Sequence, residues 1–378
     1  MERQISYRLK NTSITFALTT LVLALLLSPL TSPAGGASAA GFCTAPFVPV
    51  SLPLNDMGSL EYVRLNSGPT GYIGGLYPNG SNERPPAHEA AGLSQAGQVK
   101  PLNTSGTYDP NNGTIVMISV GMSNTSTEFK KFIEVADPNP YVNPKLVIVN
   151  GAQGGQVSND WADPNGAPWD KLNLILSDEG LSPQQVQVAW VKLAQFGAGD
   201  FPSKAQSLQS DLEATAQNLA NKFPNLKLAF FSSRTRSYIV GGEALSPEPT
   251  AFETGFSVKW LIEKQINGDL NFNPAAGPVK APYLSWGPYL WIDGLNERSD
   301  GLVWTQQDLN EDCTHPSDQG ALKVASQLMN FFSYDSIGAP WFLADPSNPP
   351  PPFPIEFSDQ IFIPLLSFNF NSTGSPRP

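Results

Sequence analysis

Three residues of this chain, Ser123, Asp312 and His315, have the types and the local spacing that nucleophilic catalysis needs. Ser123 lies in TIVMISVGMSNTSTEF, residues 114–129. Positions 115–120 are apolar or small and mostly β-branched or sulfur-bearing, a pattern that predicts a buried strand. Gly121 breaks that run, and Asn124, Thr125 and Ser126 offer capping side chains ahead of Glu128 and Phe129. A serine on such a strand-to-helix turn has its hydroxyl lifted clear of a sheet and its N–H at a helix N-terminus, where a developing oxyanion is stabilised. The same stretch also fits an ordinary turn whose serine only caps the helix. The second stretch is DCTHPSDQG, residues 312–320. An aspartate three residues before a histidine in a loop can accept from one ring nitrogen, leaving the other to take a proton from a serine. Pro316 and Ser317 then end the loop and open the next helix, which holds the imidazole in place.

The elements that must carry these residues alternate along the chain. Strands are predicted over residues 114–120, 145–150, 186–191 and 226–231, with helices over 128–136, 169–177, 203–222, 252–266 and 318–332. Ala205, Leu208, Leu212, Ala216 and Leu219 line one face of the third helix, with Ser203 as its cap. Ala321, Val324, Ala325, Leu328 and Phe332 line one face of the last, capped by Ser317. Alternation of this kind predicts an α/β fold, a three-layer α/β/α sandwich with a mainly parallel sheet. Ligands then bind beyond the carboxyl ends of the strands, where Ser123 would lie. The expected organisation is a signal peptide over 1–40, an irregular N-terminal segment wrapping the domain over 41–113, the domain itself over 114–334, and a proline-rich tail over 335–378. In the tail NPPPPFP is expected to act as a stiff extended spacer, and one apolar patch falls at 361–366.

The leader expectation rests on a basic start (Arg3, Arg8, Lys10), an apolar run over 14–30 and small residues at Ala37, Ser38 and Ala39. Without it the formal charge is near −13, which disfavours nucleic acid and anionic membranes as partners. No later run is long enough to span a bilayer. The only cysteines, Cys43 and Cys313, are expected to pair in an oxidising compartment, tying the start of the mature chain to the loop of Asp312 and His315. No metal-ligand spacing is present, and His88 reads as a structural histidine. Arg234, Arg236 and Tyr238 follow the fourth strand, as cleft residues or as surface ones. Trp286, Trp291 and Trp304 suit either a sugar-stacking floor or a core, and Tyr72 and Tyr77 either packing or a sugar face.

A glycine-serine turn after the first strand with DxxHP before the last helix resembles the SGNH/GDSL hydrolases. The closer resemblance is to the carbohydrate O-acetylesterase branch, such as sialic-acid and acetylxylan esterases. Its GQSN corresponds here to GMSN (121–124), and its GG…W segment to NGAQGGQVSNDW (150–161). The resemblance covers about 114–332. It implies Ser123 as nucleophile, His315 as general base and acid, and Asp312 as its orienting carboxylate. The N–H groups of Ser123 and Gly155, with Gly154 beside it, would face the oxyanion. No cofactor is implied. The chain departs from the pattern after the third strand, where VAWVKLAQF puts Lys192 in the place of an amide side chain. Lys192 would then be a charged oxyanion donor, a contact for an anionic substrate part, or a solvated strand end. Flanking segments resemble those of secreted bacterial members, and the sequon at Asn124, beside the nucleophile, fits an exported bacterial protein.

The expectation is a secreted or periplasmic serine esterase acting on carboxylic esters, with O-acetylated carbohydrate preferred by resemblance. Two other readings stay open: a catalytically silent glycan-binding protein on the same fold, and a lipid or acyl-ester hydrolase.

Overall fold

The computed structural model describes residues 41–354; the leader expected over 1–40 and the patch at 361–366 lie outside the described residues. The segment expected to be irregular carries a short helix α1 (Leu54–Met57), an antiparallel hairpin of β1 (Glu61–Arg64) and β2 (Gly68–Ile73), and a helix α2 (Pro86–Ala96). The hairpin was hidden in the sequence because β1 has four residues and β2 begins in Gly and Pro, both poor strand formers. Helix α2 starts at a proline, which suits a first helical position, but it has no strong apolar stripe.

The regular part follows the predicted alternation. Strand β3 (Ile115–Gly121) leads into helix α3 (Ser123–Ala136), and β4 (Leu146–Val149) into α4 (Ser158–Ala162) and α5 (Ala167–Asp178). Strand β5 (Val186–Lys192) leads into α6 (Ser203–Lys222), and β6 (Leu228–Phe231) into α7 (Thr250–Ile266). A fifth strand, β7 (Tyr283–Trp286), precedes the last long helix, α8 (Asp318–Tyr334), and a short α9 (Ala339–Phe342). The sheet order is β4-β3-β5-β6-β7, and every neighbouring pair is parallel. The sequence concealed β7, a four-residue strand that begins directly after Pro282 in an aromatic, proline-rich stretch.

Side chains alternate across this sheet as the two-residue period requires. Val116, Ile118 and Val120 join the core formed with α5, α6 and α7. Met117, Val188, Trp190 and Phe230 join the opposite core with α3, α8 and α9. Both faces are covered, so β3 and β5 are buried along their whole length. The fold is a three-layer α/β/α sandwich. The turn that carries Ser123 is tight: a Cβ on Gly121 would stand 2.4 Å from Thr125 Oγ1, so only glycine lets α3 begin this close to the strand. Helix α3 also starts five residues earlier than predicted. Asn124 and Thr125 belong to its first turn, and their side chains bond Thr314 and Lys192 carbonyls instead of capping their own helix.

The proline-rich stretch lies against α8 and is no free spacer. Asn330 exchanges two hydrogen bonds with the Phe353 backbone (3.0 and 2.7 Å), and the Tyr334 hydroxyl donates to the Pro350 carbonyl. Among the described residues no helix is long and apolar enough to cross a membrane.

Cys43 and Cys313 form a disulfide across 270 positions of chain. In the chain-entropy account, closing so long a loop stabilises on the order of 4–5 kcal/mol. Replacing both cysteines by serine is expected to lower the urea midpoint accordingly, measured at equilibrium. A second expectation concerns His88, which is buried on α2, bonds the Leu284 carbonyl at 2.9 Å and stacks on Tyr283. Burial pushes its pKa down to about 4, although the Leu284 carbonyl acts the other way. The unfolded chain therefore takes up a proton at this site as pH falls from about 6.5, while the folded chain does not until about 4. Stability is complete above that window and declines through it, by about 3 kcal/mol from this residue. His88→Gln should flatten the stability-against-pH curve between those limits, read by urea unfolding at a series of pH values.

Candidate active site

The crest of the sheet brings the three residues together. Ser123 is the first residue of α3, directly beyond the carboxyl end of β3, so its N–H is one of the helix's orphan donors. Its Oγ lies 2.7 Å from His315 Nε2, and His315 Nδ1 lies 2.5 Å from Asp312 Oδ2. The other carboxylate oxygen accepts the N–H groups of Thr314 (3.0 Å) and His315 (2.9 Å). Burial pulls the Asp312 pKa up, but the hydrogen bonds from the His315 N–H, its ring and the Thr314 N–H outweigh it and hold the carboxyl below the usual range. A base form of Nε2 can therefore face the serine hydroxyl while Nδ1–H is committed to the carboxylate.

The loop carrying Asp312 and His315 is tied down from several sides. The disulfide holds Cys313, whose backbone is in the left-handed region at φ 57°, and Cys43 N–H donates to the Leu309 carbonyl. Ser237 Oγ (3.3 Å) and Tyr238 N–H (3.0 Å) both donate to the Cys313 carbonyl. Asn124 Nδ2 donates to the Thr314 carbonyl at 2.7 Å. Sequence reasoning gave Asn124 a capping role; its bond to residue 314 joins the helix of Ser123 to the loop of His315, and the N after GMS was the only signal for it.

The segment after β4 closes the other side. Ser119 Oγ donates to Asn150 Oδ1, Asn150 Nδ2 donates to the Ser126 carbonyl, and Gln153 N–H donates to the Gly121 carbonyl. This brings Gly154 beside Ser123, where an added Cβ would be 3.9 Å from Ser123 Cβ. Gly155, at φ 78°, is in the left-handed region and faces open space. The Gly154 backbone, with Gly155 next to it, is thus a neighbour of Ser123. The site is open to its surroundings: the His315 and Asp312 side chains are 36% and 51% exposed.

Two expected site residues are elsewhere. Lys192 is sealed, with its Nζ 2.5 Å from both oxygens of Glu128 on α3, and it reaches neither an oxyanion nor solvent. Burial lowers its pKa, while Glu128 supports the charged form. The register that aligns Lys192 with Gly121 explains this, because the residue at that position points under α3 and not over its N-terminus. Arg234 is also fully buried and lines no cleft. Arg236 and Tyr238 are buried too: Arg236 pairs with Asp293, and Tyr238 donates its hydroxyl to the Trp304 carbonyl. Trp286, Trp291 and Trp304 are core residues, Tyr77 is buried against Ser285, and Tyr72 packs on Phe201 and Trp260. Among the described residues no cluster of three or more histidine, cysteine or acidic side chains has metal-site geometry.

No protein-family model matches this chain, and no curated protein matches it either.

Proposed function

We propose that this chain is a serine esterase of SGNH type, secreted or periplasmic, that hydrolyses carboxylic esters with Ser123 as nucleophile. One observation carries the reading: Ser123 Oγ, His315 and Asp312 form a continuous chain of contacts of 2.7 and 2.5 Å between segments 192 positions apart. An ordinary helix-capping serine has no need of such a partner.

The geometry supports the following roles. His315 Nε2 takes the Ser123 proton as Oγ attacks the ester carbonyl carbon, and Asp312 offsets the charge on the imidazolium. The oxyanion develops against the N–H of Ser123 at the start of α3, with the Gly154–Gly155 backbone beside it. Collapse expels the alcohol with a proton from His315, and a water activated by the same imidazole releases the acid and frees Ser123. The preference for O-acetyl groups on carbohydrate rests on the resemblance of GMSN, GG…W and DxxHP, and the exposed triad suits an ester on a bulky body. The glycan-binding reading finds no platform in Trp286, Trp291 or Trp304, all of which are buried. Export is supported by the leader pattern and by the disulfide.

p-Nitrophenyl acetate hydrolysis and fluorophosphonate labelling test the proposal. Ser123→Ala should abolish labelling, and both it and Asp312→Asn should lower kcat on the order of 10³-fold or more. Turnover that survives Ser123→Ala, or a wild type that neither turns over nor labels, would sink it. Longer acyl chains distinguish a lipid esterase, which would favour them over acetyl. A further variant reads the loop anchor: Asn124→Ala should lower kcat roughly tenfold with KM little changed, because it frees the Thr314 carbonyl and with it the aim of His315. An unchanged kcat would show that the loop is held without this bond.

A further inference from the structure

Lys192, in the place where the resembled family keeps an amide donor, has been drawn into a pair with Glu128, yet a second cation lies under the same site. Arg234 is on the segment leaving the carboxyl end of β6, at the same end of the sheet as Ser123. Its side chain is completely buried, and none of its three guanidinium nitrogens has a hydrogen-bond partner among the described residues. Its backbone N–H is anchored to Thr254 Oγ1 at 3.0 Å. A sealed, unpaired guanidinium is among the more expensive groups a fold can keep, and local rules are broken mostly where function requires it.

Four charged groups face it: Glu128 on α3, Lys192 on β5, Glu248 on the segment before α7, and Asp312 on the triad loop. Each carboxylate is already committed. Glu128 is held by Lys192, and Asp312 by His315. Glu248 accepts the N–H groups of Ser237 and Phe252 and the Trp291 ring N–H. Two positions further on, Arg236 forms a closed pair with Asp293. With the two ion pairs cancelled, Arg234 is, among the described residues, the one cation left in the floor, unpaired itself and faced at a distance by Glu248 and by the Asp312 carboxylate.

We propose that Arg234 is a positioning residue that acts through its field, its sealed charge favouring the negative oxygen that develops at Ser123 in place of a third hydrogen-bond donor. The proposal rests on the esterase reading. In a site floor from which water is excluded, such a charge acts over several ångströms without touching substrate and needs no reorganisation during the reaction. Glu248 opposes it. Burial pushes the Glu248 pKa up to about 7, against the nearby Arg236 and the three donors, so this carboxyl is neutral below that pH and cancels part of the Arg234 field above it.

The test is steady-state hydrolysis of p-nitrophenyl acetate from pH 6 to 9 by the full chain and by Arg234→Gln, Arg234→Lys and Glu248→Gln, with Ser123→Ala as control. Near-UV circular dichroism checks each fold. Arg234→Gln should lower kcat on the order of ten- to a hundredfold at unchanged KM, while Arg234→Lys stays within about threefold of the wild type. The ratio of Glu248→Gln kcat to wild-type kcat should stay near one below pH 7 and rise above it, because both enzymes share the His315 dependence and only the wild type gains the opposing charge. A folded Arg234→Gln with wild-type kcat overturns the proposal, as does equal loss in the Gln and Lys variants, which is the signature of packing alone. If Arg234→Gln does not fold, Arg234→Met takes its place, and a folded Met variant with wild-type kcat overturns the proposal. A wild type without Ser123-dependent turnover or labelling overturns this proposal and the esterase reading together; the other outcomes leave the esterase reading standing.

Discussion

The geometry of the site depends on holding one loop, from Leu309 to Ser317, against the crest of a parallel sheet. A hydrogen bond contributes only about 1 kcal/mol net, so no single anchor fixes an imidazole in register with a serine. The loop is therefore held from several directions at once. The disulfide and the Cys43 N–H come from the N-terminal segment, Ser237 and Tyr238 from the end of β6, and Asn124 from the first turn of α3. Internally, the Asn310 N–H donates to the His315 carbonyl at 2.9 Å, and Ser317 caps α8. Asp308, at the loop's base, is paired with Lys323 of α8 at 2.7 Å in the interior. The anchors converge from parts of the chain that share no local sequence, so the loop cannot shift without breaking several of them at once.

That distribution explains what the sequence revealed and what it concealed. Ser123 was legible because a buried strand, a glycine and a polar helix start are local, and Asp312 with His315 because three residues of loop contain both. The sheet was legible because strands covered on both faces are continuously apolar, as 115–120 and 186–191 are. Asn124 was misread because a polar residue at a helix start has a local use as a cap, and its true partner is 190 positions away. Lys192 and Arg234 were given only cleft or solvent-facing roles because charged side chains are seldom fully buried. What buries Lys192 is Glu128, 64 residues distant, and no periodicity encodes such a pairing. The tryptophans, open in sequence between a sugar platform and a core, lie in the core, which is where most large aromatic rings go.

The site has a rim and a floor of opposite character. At the rim, His315 and Asp312 are substantially exposed, and their contacts are short, charge-assisted hydrogen bonds that water does not easily displace. Under it, Glu128, Lys192, Arg234 and Glu248 are sealed. Replacing a buried ion pair by apolar residues is often neutral or stabilising, so the floor is poorly explained as a device for stability alone. Its members also sit on separate elements, α3, β5 and the segments following β6 and preceding α7, which meet only at the carboxyl edge of the sheet. An exposed dyad at the rim gains little from distant charges through water, whereas charges below it act through protein and are screened much less. On the esterase reading, this division lets the rim stay open to an ester on a bulky body while the electrostatic environment of the nucleophile is set from beneath, out of reach of solvent.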